Sequence, residues 1–396
     1  MAMRMVNFAR RHAAQSLAFA GLAILAGWVA RADAQSARPD LMRSPFHMER
    51  ILDHGERPDW SPDGRKLVFT QSDVRDTPAY EIDLATRKVR CLTCKFGKLG
   101  LVTRIYYLPD GNFLILAPLR DQPGGRPAFM LTGLYWLSAK ADAAPQPLGA
   151  PAMGEIAHGE ARREGVPIAW GAAEGTRSVI VQANLRLIGG KPVLADRHTI
   201  YSFDASTPST GGPTFAETYN FARDGRAITF WSVTRPDLDS GMYEVDLDTG
   251  RTQALYVDPA HNETHLFPDE RFGLEESNRD SDPAGPLRGV SGLDAAALRA
   301  TARGLGVKVG SAEDLAAYAR FGSLRGVGRP FDLYVVKIGS PVRVRRLTHV
   351  SNLGGAAHQS VPAPDGRRIA FALETPETGP LRGRSGLYIG WFGNRR

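Results

Sequence analysis

One alternation of apolar and polar positions recurs along the chain. It is clearest in "WSPDGRKLVF" at 60–69, where an aromatic leads into a Pro-Asp-Gly turn and then an alternating run. "YLPDGNFLIL" at 107–116, "FARDGRAITF" at 221–230, "LFPDERFGLE" at 266–275 and "PAPDGRRIAF" at 362–371 repeat it, and "GAAEGTRSVIV" at 171–181 is a degenerate copy. A period of two predicts strands, and Asp before Gly predicts the turn that joins a first strand to a second. A second pattern follows each copy: "AYEIDLATRKVRCLT", "GLYWLSAK", "TIYSFDAS", "GMYEVDLDTGRTQALY", "DLYVVKIGSPVRVRRLT" and "GLYIGWF". These predict a third strand, usually with a fourth. Four strands per unit at a repeating interval predict an all-β fold, a β-propeller.

The turn acids count the units. They are Asp63, Asp110, Glu174, Asp224, Asp269 and Asp365, separated by 47, 64, 50, 45 and 96 residues. The longest interval has room for a further blade. It is filled instead by "SGLDAAALRATARGLG" and "SAEDLAAYARFG", Ala- and Leu-rich runs that open on the helix-start residues Ser291 and Ser311. The expectation is six blades, with a helical insertion at about 284–330 in blade five. Blade six stops at "GLYIGWFGNRR" without a fourth strand, whereas residues 48–53 look like a fourth strand that precedes a first. The N-terminal segment is therefore expected to pair with 386–392 and leave no open edge.

These repeats resemble the TolB-type, WD-repeat-like propeller family, over residues 46–393. The resemblance implies a TolB-like six-bladed β-propeller with a ligand at the mouth of its central channel. It does not imply a function, because the repeat serves binding proteins, propellers attached to peptidases, and lyases. The chain departs from TolB in one respect. Only residues 35–45, a linker, stand between the expected leader and the propeller at 46–396, so TolB's N-terminal α/β domain and its role in envelope integrity are not implied.

The leader is residues 1–34. Arg4, Arg10 and Arg11 precede an apolar run from Ser16 to Ala30, and Ala32-Asp33-Ala34 fits a cleavage site. This reads as an export signal, with a retained N-terminal anchor as the alternative. A periplasmic or secreted protein follows, with no stable membrane span after signal removal. The formal net charge of +7 falls to +4 when the leader's four Arg and one Asp are set aside, and the charges are mixed in sequence. That excludes nucleic acid as an expected partner. A monomer is expected. Cys91 and Cys94, the two cysteines of the chain, form a C-x-x-C pair. In an exported chain this reads as a local disulfide; zinc would need further ligands, and a redox centre a strand-to-helix setting.

In this repeat type the residues before first strands and after second strands should meet at one face. Before first strands lie His54, Glu56, Arg57, Arg104, Glu217, Asn262, Glu263, His265, His358 and Gln359. After second strands lie Arg75, Arg120, Arg186, Arg235 and Arg279, at 12, 10, 12, 11 and 10 residues from their turn acids; blade six has Glu374 and Glu377 instead. Five arginines at equivalent positions could ring the channel for an anionic ligand, since guanidinium suits carboxylate and phosphate. Equally, each could be neutralised within its own blade. Oligogalacturonate lyases share this propeller and hold a metal with His and Gln at the channel mouth, so His265, His358 and Gln359 are the positions where the resemblance would place one. The tight His-x-His cluster is missing, and no metal or other cofactor is expected. There is no G-x-S-x-G nucleophile elbow. The turn acids are read as turn formers, with no catalytic residue assigned. Two functions remain. One is a non-enzymatic module that binds a protein, peptide or envelope glycan at the channel mouth. The other is a metal-assisted lyase or hydrolase of an acidic oligosaccharide.

Overall fold

The computed structural model describes residues 39–394, apart from 72–76, 97–98, 100–101, 119–131, 141, 175–176, 205–215, 234–239, 258–260, 278, 281–330, 354 and 376–381. The expected leader 1–34 and the helical insertion at 284–330 lie outside the described residues, as do Arg75, Arg120 and Arg235. Of the linker, residues 39–44 are described; the amides of Arg43 and Ser44 donate to the Asp40 carbonyl and close a turn. Among the described residues no helix is long and apolar enough to cross a membrane.

The chain is all β. After β1 (Phe46–Leu52), the first sheet holds β2 (Glu56–Trp60), β3 (Lys66–Thr70), β4 (Ala79–Asp83) and β5 (Val89–Cys91). A seven-stranded sheet follows, with β6 (Arg104–Tyr107), β7 (Phe113–Pro118), β8 (Thr132–Leu137), β9 (Gln146–His158), β10 (Val166–Glu174), β11 (Arg177–Ile188) and β12 (Lys191–Asp204) in sequence order. The next sheet holds β13 (Glu217–Ala222), β14 (Ala227–Val233), β15 (Ser240–Asp246) and β16 (Thr252–Val257). Then come β17 (His261–Leu266), β18 (Phe272–Ser277), β19 (Asp332–Lys337) and β20 (Arg343–Arg346). The last sheet joins β21 (Ala356–Pro362), β22 (Arg368–Glu374) and β23 (Gly386–Phe392) to β1.

Successive sheets pack face to face, which is why their middle strands are apolar on both faces. Trp60, Leu67 and Phe69 of the first sheet pack on Ala370 and Leu387 of the last, while Val68 packs on Ile105, Tyr107 and Ile115 of the next. Ala169, Ile180 and Phe203 meet Ile228, Phe230 and Tyr243. Ala222 and Met242 meet Leu266 and Ile338. The ring of sheets closes, and the arrangement is a propeller. Each removed apolar square ångström contributes about 25 cal/mol, so face-to-face packing is the main driving force for this architecture.

Among the described residues the sheets number five. Four are separate four-stranded blades; the seven-stranded sheet carries the strands of two expected units. Its two halves fold on each other, with Tyr106, Leu114, Leu134 and Trp136 packed against Ile168, Trp170 and Val179. β9 serves both halves. Gln146, Pro147, Pro151 and Ala152 pair with β8, and Met153 and Ile156 to His158 pair with β10. Gly154 sits at the change of partner with φ +68°, and a Cβ there would collide with the Glu217 side chain. This corrects the reading of "GAAEGTRSVIV". Its Glu174 turn joins β10 to β11, and the innermost strand of that unit is the second half of β9, one strand earlier than the repeat predicts.

The expected closure is present. β1 pairs antiparallel with β23, matching Phe46 with Phe392, Met48 with Gly390 and Arg50 with Tyr388. The turns are also built as expected. Asp63, Asp110, Asp269 and Asp365 each accept a hydrogen bond from the amide two residues on. Gly64, Gly111, Gly225 and Gly366 take positive φ in these turns. Glu270 replaces glycine in one of them and holds φ +56°.

Candidate functional site

The innermost strands are β2, β6, the second half of β9, β13, β17 and β21. β2 lies against β6 and β21, β13 against β9 and β17, and β17 against β21. The Tyr106 hydroxyl, which donates to Glu155 and accepts from the Ile156 amide at 3.2 Å, ties β6 to β9. Each strand brings a charged or polar side chain to the ring near its start: Glu56, Arg104, Glu155, Glu217, Glu263 and His358. β2, β13, β17 and β21 break register there, between Glu56 and Asp59, Thr218 and Asn220, His261 and Thr264, and His358 and Val361. Bulges of this kind re-aim side chains. Arg57 and Gln359 both sit at φ 55°, and the Arg57 amide donates to Gln359 Oε1 at 3.0 Å. Left-handed backbone in these two non-glycine residues costs about 1–2 kcal/mol each.

The charges pair in part. Arg104 is clasped to Glu155, with side chains 8% and 4% exposed, and lies 3.8 Å from Glu263. Arg57 Nε meets Glu56 at 3.2 Å, and His358 Nε2 meets Glu374 Oε1 at 3.4 Å. Glu276 of β18 accepts from the Ser360 amide at 2.8 Å. Six carboxylates (Glu56, Glu155, Glu217, Glu263, Glu276 and Glu374) thus face Arg57, Arg104 and His358. Burial, and then the charge of Glu263, raise the pKa values of Glu217 and Glu276. Burial lowers His265 to about 3, helped by Arg104, and His158 to about 4. Burial works against a charged His358, but Glu374, Glu276 and Glu56 outweigh it and hold its pKa up. Burial also lifts Asp59 to about 7, against the Tyr107 amide that donates to it at 2.7 Å. Such a ring offers carboxyl groups and guanidinium within one space. It suits a ligand with several polar groups.

The residues singled out from the sequence fall into two sets. Glu263, His265, His358 and Gln359 stand on the innermost strands, with Glu56, Arg57, Arg104 and Glu217; of Asn262 the side chain lies outside the described residues. His265 packs edge-on to Tyr219, with centroids 4.6 Å apart. His54 stands just before β2, bonded to Asp53 Oδ1 at 2.8 Å and 41% exposed at its side chain. Arg186 sits on β11 and pairs with Asp196 at 2.8 Å. Arg279 pairs with Glu275 at 2.5 Å and stacks over Tyr334 at 5.0 Å. Both described members of the arginine series are thus engaged with an acid of their own sheet. Glu155 and Glu276 were missed. Glu155 lies in "MGEIAHG", one strand before the repeat copy that stands for its unit, and only the ordering of strands in the sheet reveals it. Among the described residues no group of three or more His, Cys, Asp or Glu is spaced to hold a metal ion. Cys91 and Cys94 are joined as a disulfide at the edge of the first sheet.

No protein-family model matches the chain, and no curated protein does. Solved structures similar to it include TolB from Acinetobacter baumannii, at 12% identity and TM-score 0.33, covering 89% of this chain and 55% of that one. Oligogalacturonate lyase from Vibrio parahaemolyticus matches at 10% identity and TM-score 0.44, over 90% and 98%. The β-propeller domain of the Trilobed protease from Pyrococcus furiosus matches at 10% identity and TM-score 0.42, over 87% and 80%.

Proposed function

We propose that this chain is an exported, TolB-like six-bladed propeller that binds a protein, peptide or envelope glycan at its innermost-strand ring, without catalysing a reaction. In this count each half of the seven-stranded sheet is one blade. The observation that carries the binding reading is the ring itself: paired and unpaired charges from six successive innermost strands, placed by bulges and held by strained Arg57 and Gln359. A surface that only packed blades together would be apolar, as the faces of the middle strands are. The metal-assisted reading is less favoured because two of its candidate ligands meet protein partners: His358 Nε2 faces Glu374, and Gln359 Oε1 accepts from the Arg57 amide.

Capture from an envelope fraction, alongside a glycan array, tests the proposal. A ligand held by the wild type should be lost, with affinity down about tenfold or more, in an Arg57→Ala, Glu263→Gln double variant. Capture that this variant leaves unchanged would reject the ring as the binding surface. A stoichiometric metal ion in purified protein that is lost in His358→Ala would instead support the lyase or hydrolase reading.

A further inference from the structure

We propose that the open edge of β20 takes an acidic peptide in extended form, as an added strand of that blade, with acidic side chains alternating with apolar ones. This surface is separate from the ring of innermost strands and does not depend on the binding reading above. β20 (Arg343–Arg346) is the last strand of its sheet, and among the described residues it pairs with β19 alone. The register tells which backbone groups remain. The Leu347 amide donates to the Leu333 carbonyl at 2.8 Å. Hydrogen-bonded and non-hydrogen-bonded pairs alternate along an antiparallel ladder, so residues 343, 345 and 347 turn their backbone to β19. The N–H and C=O groups of Val344 and Arg346 therefore face the open edge. Such a row is a template for another strand.

The side chains say what that strand carries. Arg343 stands directly across from Lys337 of β19, and both are exposed. Like charges directly opposite each other destabilise a pair of strands. Neither has an ion-pair partner among the described residues. An acid on an incoming strand, opposite Arg343, answers both charges. The pattern is not shared by all outer strands: Arg90 of β5 is held by Glu81, and β16 carries no charged residue. Val344 is 37% exposed and Val342, just before β20, 41%. Successive side chains alternate between faces, so these valines lie on the face opposite Arg343. An incoming strand thus meets cations on one face and apolar side chains on the other, which sets its alternation of acid and apolar residue. The free backbone row selects a peptide over other polyanions, because only a peptide returns donors and acceptors at strand spacing.

Fluorescence anisotropy with a labelled, capped peptide of alternating Glu and Val tests the assignment. The peptide should bind, and added salt should weaken it. Replacing its Glu by Lys, or N-methylating alternate amides, should each weaken binding by about tenfold or more. Lys337→Glu supplies Arg343 with an acid inside the blade. That variant should melt no lower than the wild type and should bind the peptide about tenfold or more weakly. Arg251→Gln, beside β16, should leave binding unchanged. If the N-methylated peptide binds as tightly as its parent, the site takes a polyanion without adding a strand. If no peptide binds, the cations only guard the edge against pairing. If Lys337→Glu binds as the wild type does, the peptide sits elsewhere. Each of these three results would overturn the proposal.

Discussion

Single residues in this propeller carry costs that their neighbours offset. Glu270 holds a left-handed backbone where the equivalent turns have glycine, and both of its carboxylate oxygens accept from the Arg223 amide of the neighbouring sheet, at 3.0 and 2.9 Å. Glu270→Ala keeps the strain and loses the bond, and should destabilise by about 1 kcal/mol. Glu270→Gly loses the bond but also the strain, of about 1–2 kcal/mol, and should be nearly neutral. Urea unfolding of the two variants checks the order. Titrating residues set opposing pH dependences. Asp59, raised to about 7, keeps a proton in the folded chain that the unfolded chain releases above its ordinary value of 3.8, so its contribution to stability falls as pH rises between those values. Raised Glu217 and Glu276 act in the same direction. His265 and His158 act oppositely. The unfolded chain takes up their protons below 6.5, whereas the folded chain does so only near 3 and 4, so stability falls as pH drops through that window. Stability should therefore peak at mildly acidic pH. Asp59→Asn keeps an acceptor for the Tyr107 amide and removes the titration. Its melting temperature relative to wild type should rise from about pH 4 to about pH 8. A difference that is flat with pH would show that Asp59 does not titrate in this window.

At the scale of elements, the strands draw stability from what covers their faces. Trp170 on β10 is fully buried between the halves of the seven-stranded sheet, and its indole N–H donates to the Pro151 carbonyl at 3.0 Å. Trp170→Ala should cost about 3–5 kcal/mol, the range for removing a large buried aromatic side chain. Chemical denaturation measures it. The disulfide between Cys91 and Cys94 contributes less. It closes so short a loop that chain entropy allows about 2 kcal/mol at most. Reduction should lower the melting temperature by only a few degrees and leave the protein folded. Asp332 is a stronger clasp: it accepts from Arg346, the Thr348 and Ser351 hydroxyls and the Val350 amide, tying β19 to the chain beyond β20.

The whole molecule depends on its first strand. β1 covers the free edge of β23 and packs Phe46 on Phe392, with centroids 5.3 Å apart, and His47 on Trp391 at 5.6 Å. Deleting residues 46–52 should expose that edge and the edge of any released strand, and light scattering should show aggregation where the full chain stays dispersed. The sequence by itself determined the strands, their turns and this closure. Each is local: alternation sets the faces, Asp before Gly sets the turn, and a missing fourth strand at one end matches a spare strand at the other. It also placed Arg104, Glu217, Glu263 and His358 near the start of their strands, because they precede recognisable turns by a nearly constant distance. Only the tertiary structure decided which side chains share one space. Glu155 escaped notice because β9 runs through two sheet halves, so the turn nearest to it in pattern belongs to a different pair of strands. Glu276 lies on a second strand and reaches the ring only because β18 packs beside β21. The charge of the ring was equally invisible, since it depends on which acids and bases meet across six strands far apart in the chain. Burial then shifts their protonation, and burial is a property of the closed ring that no single repeat possesses.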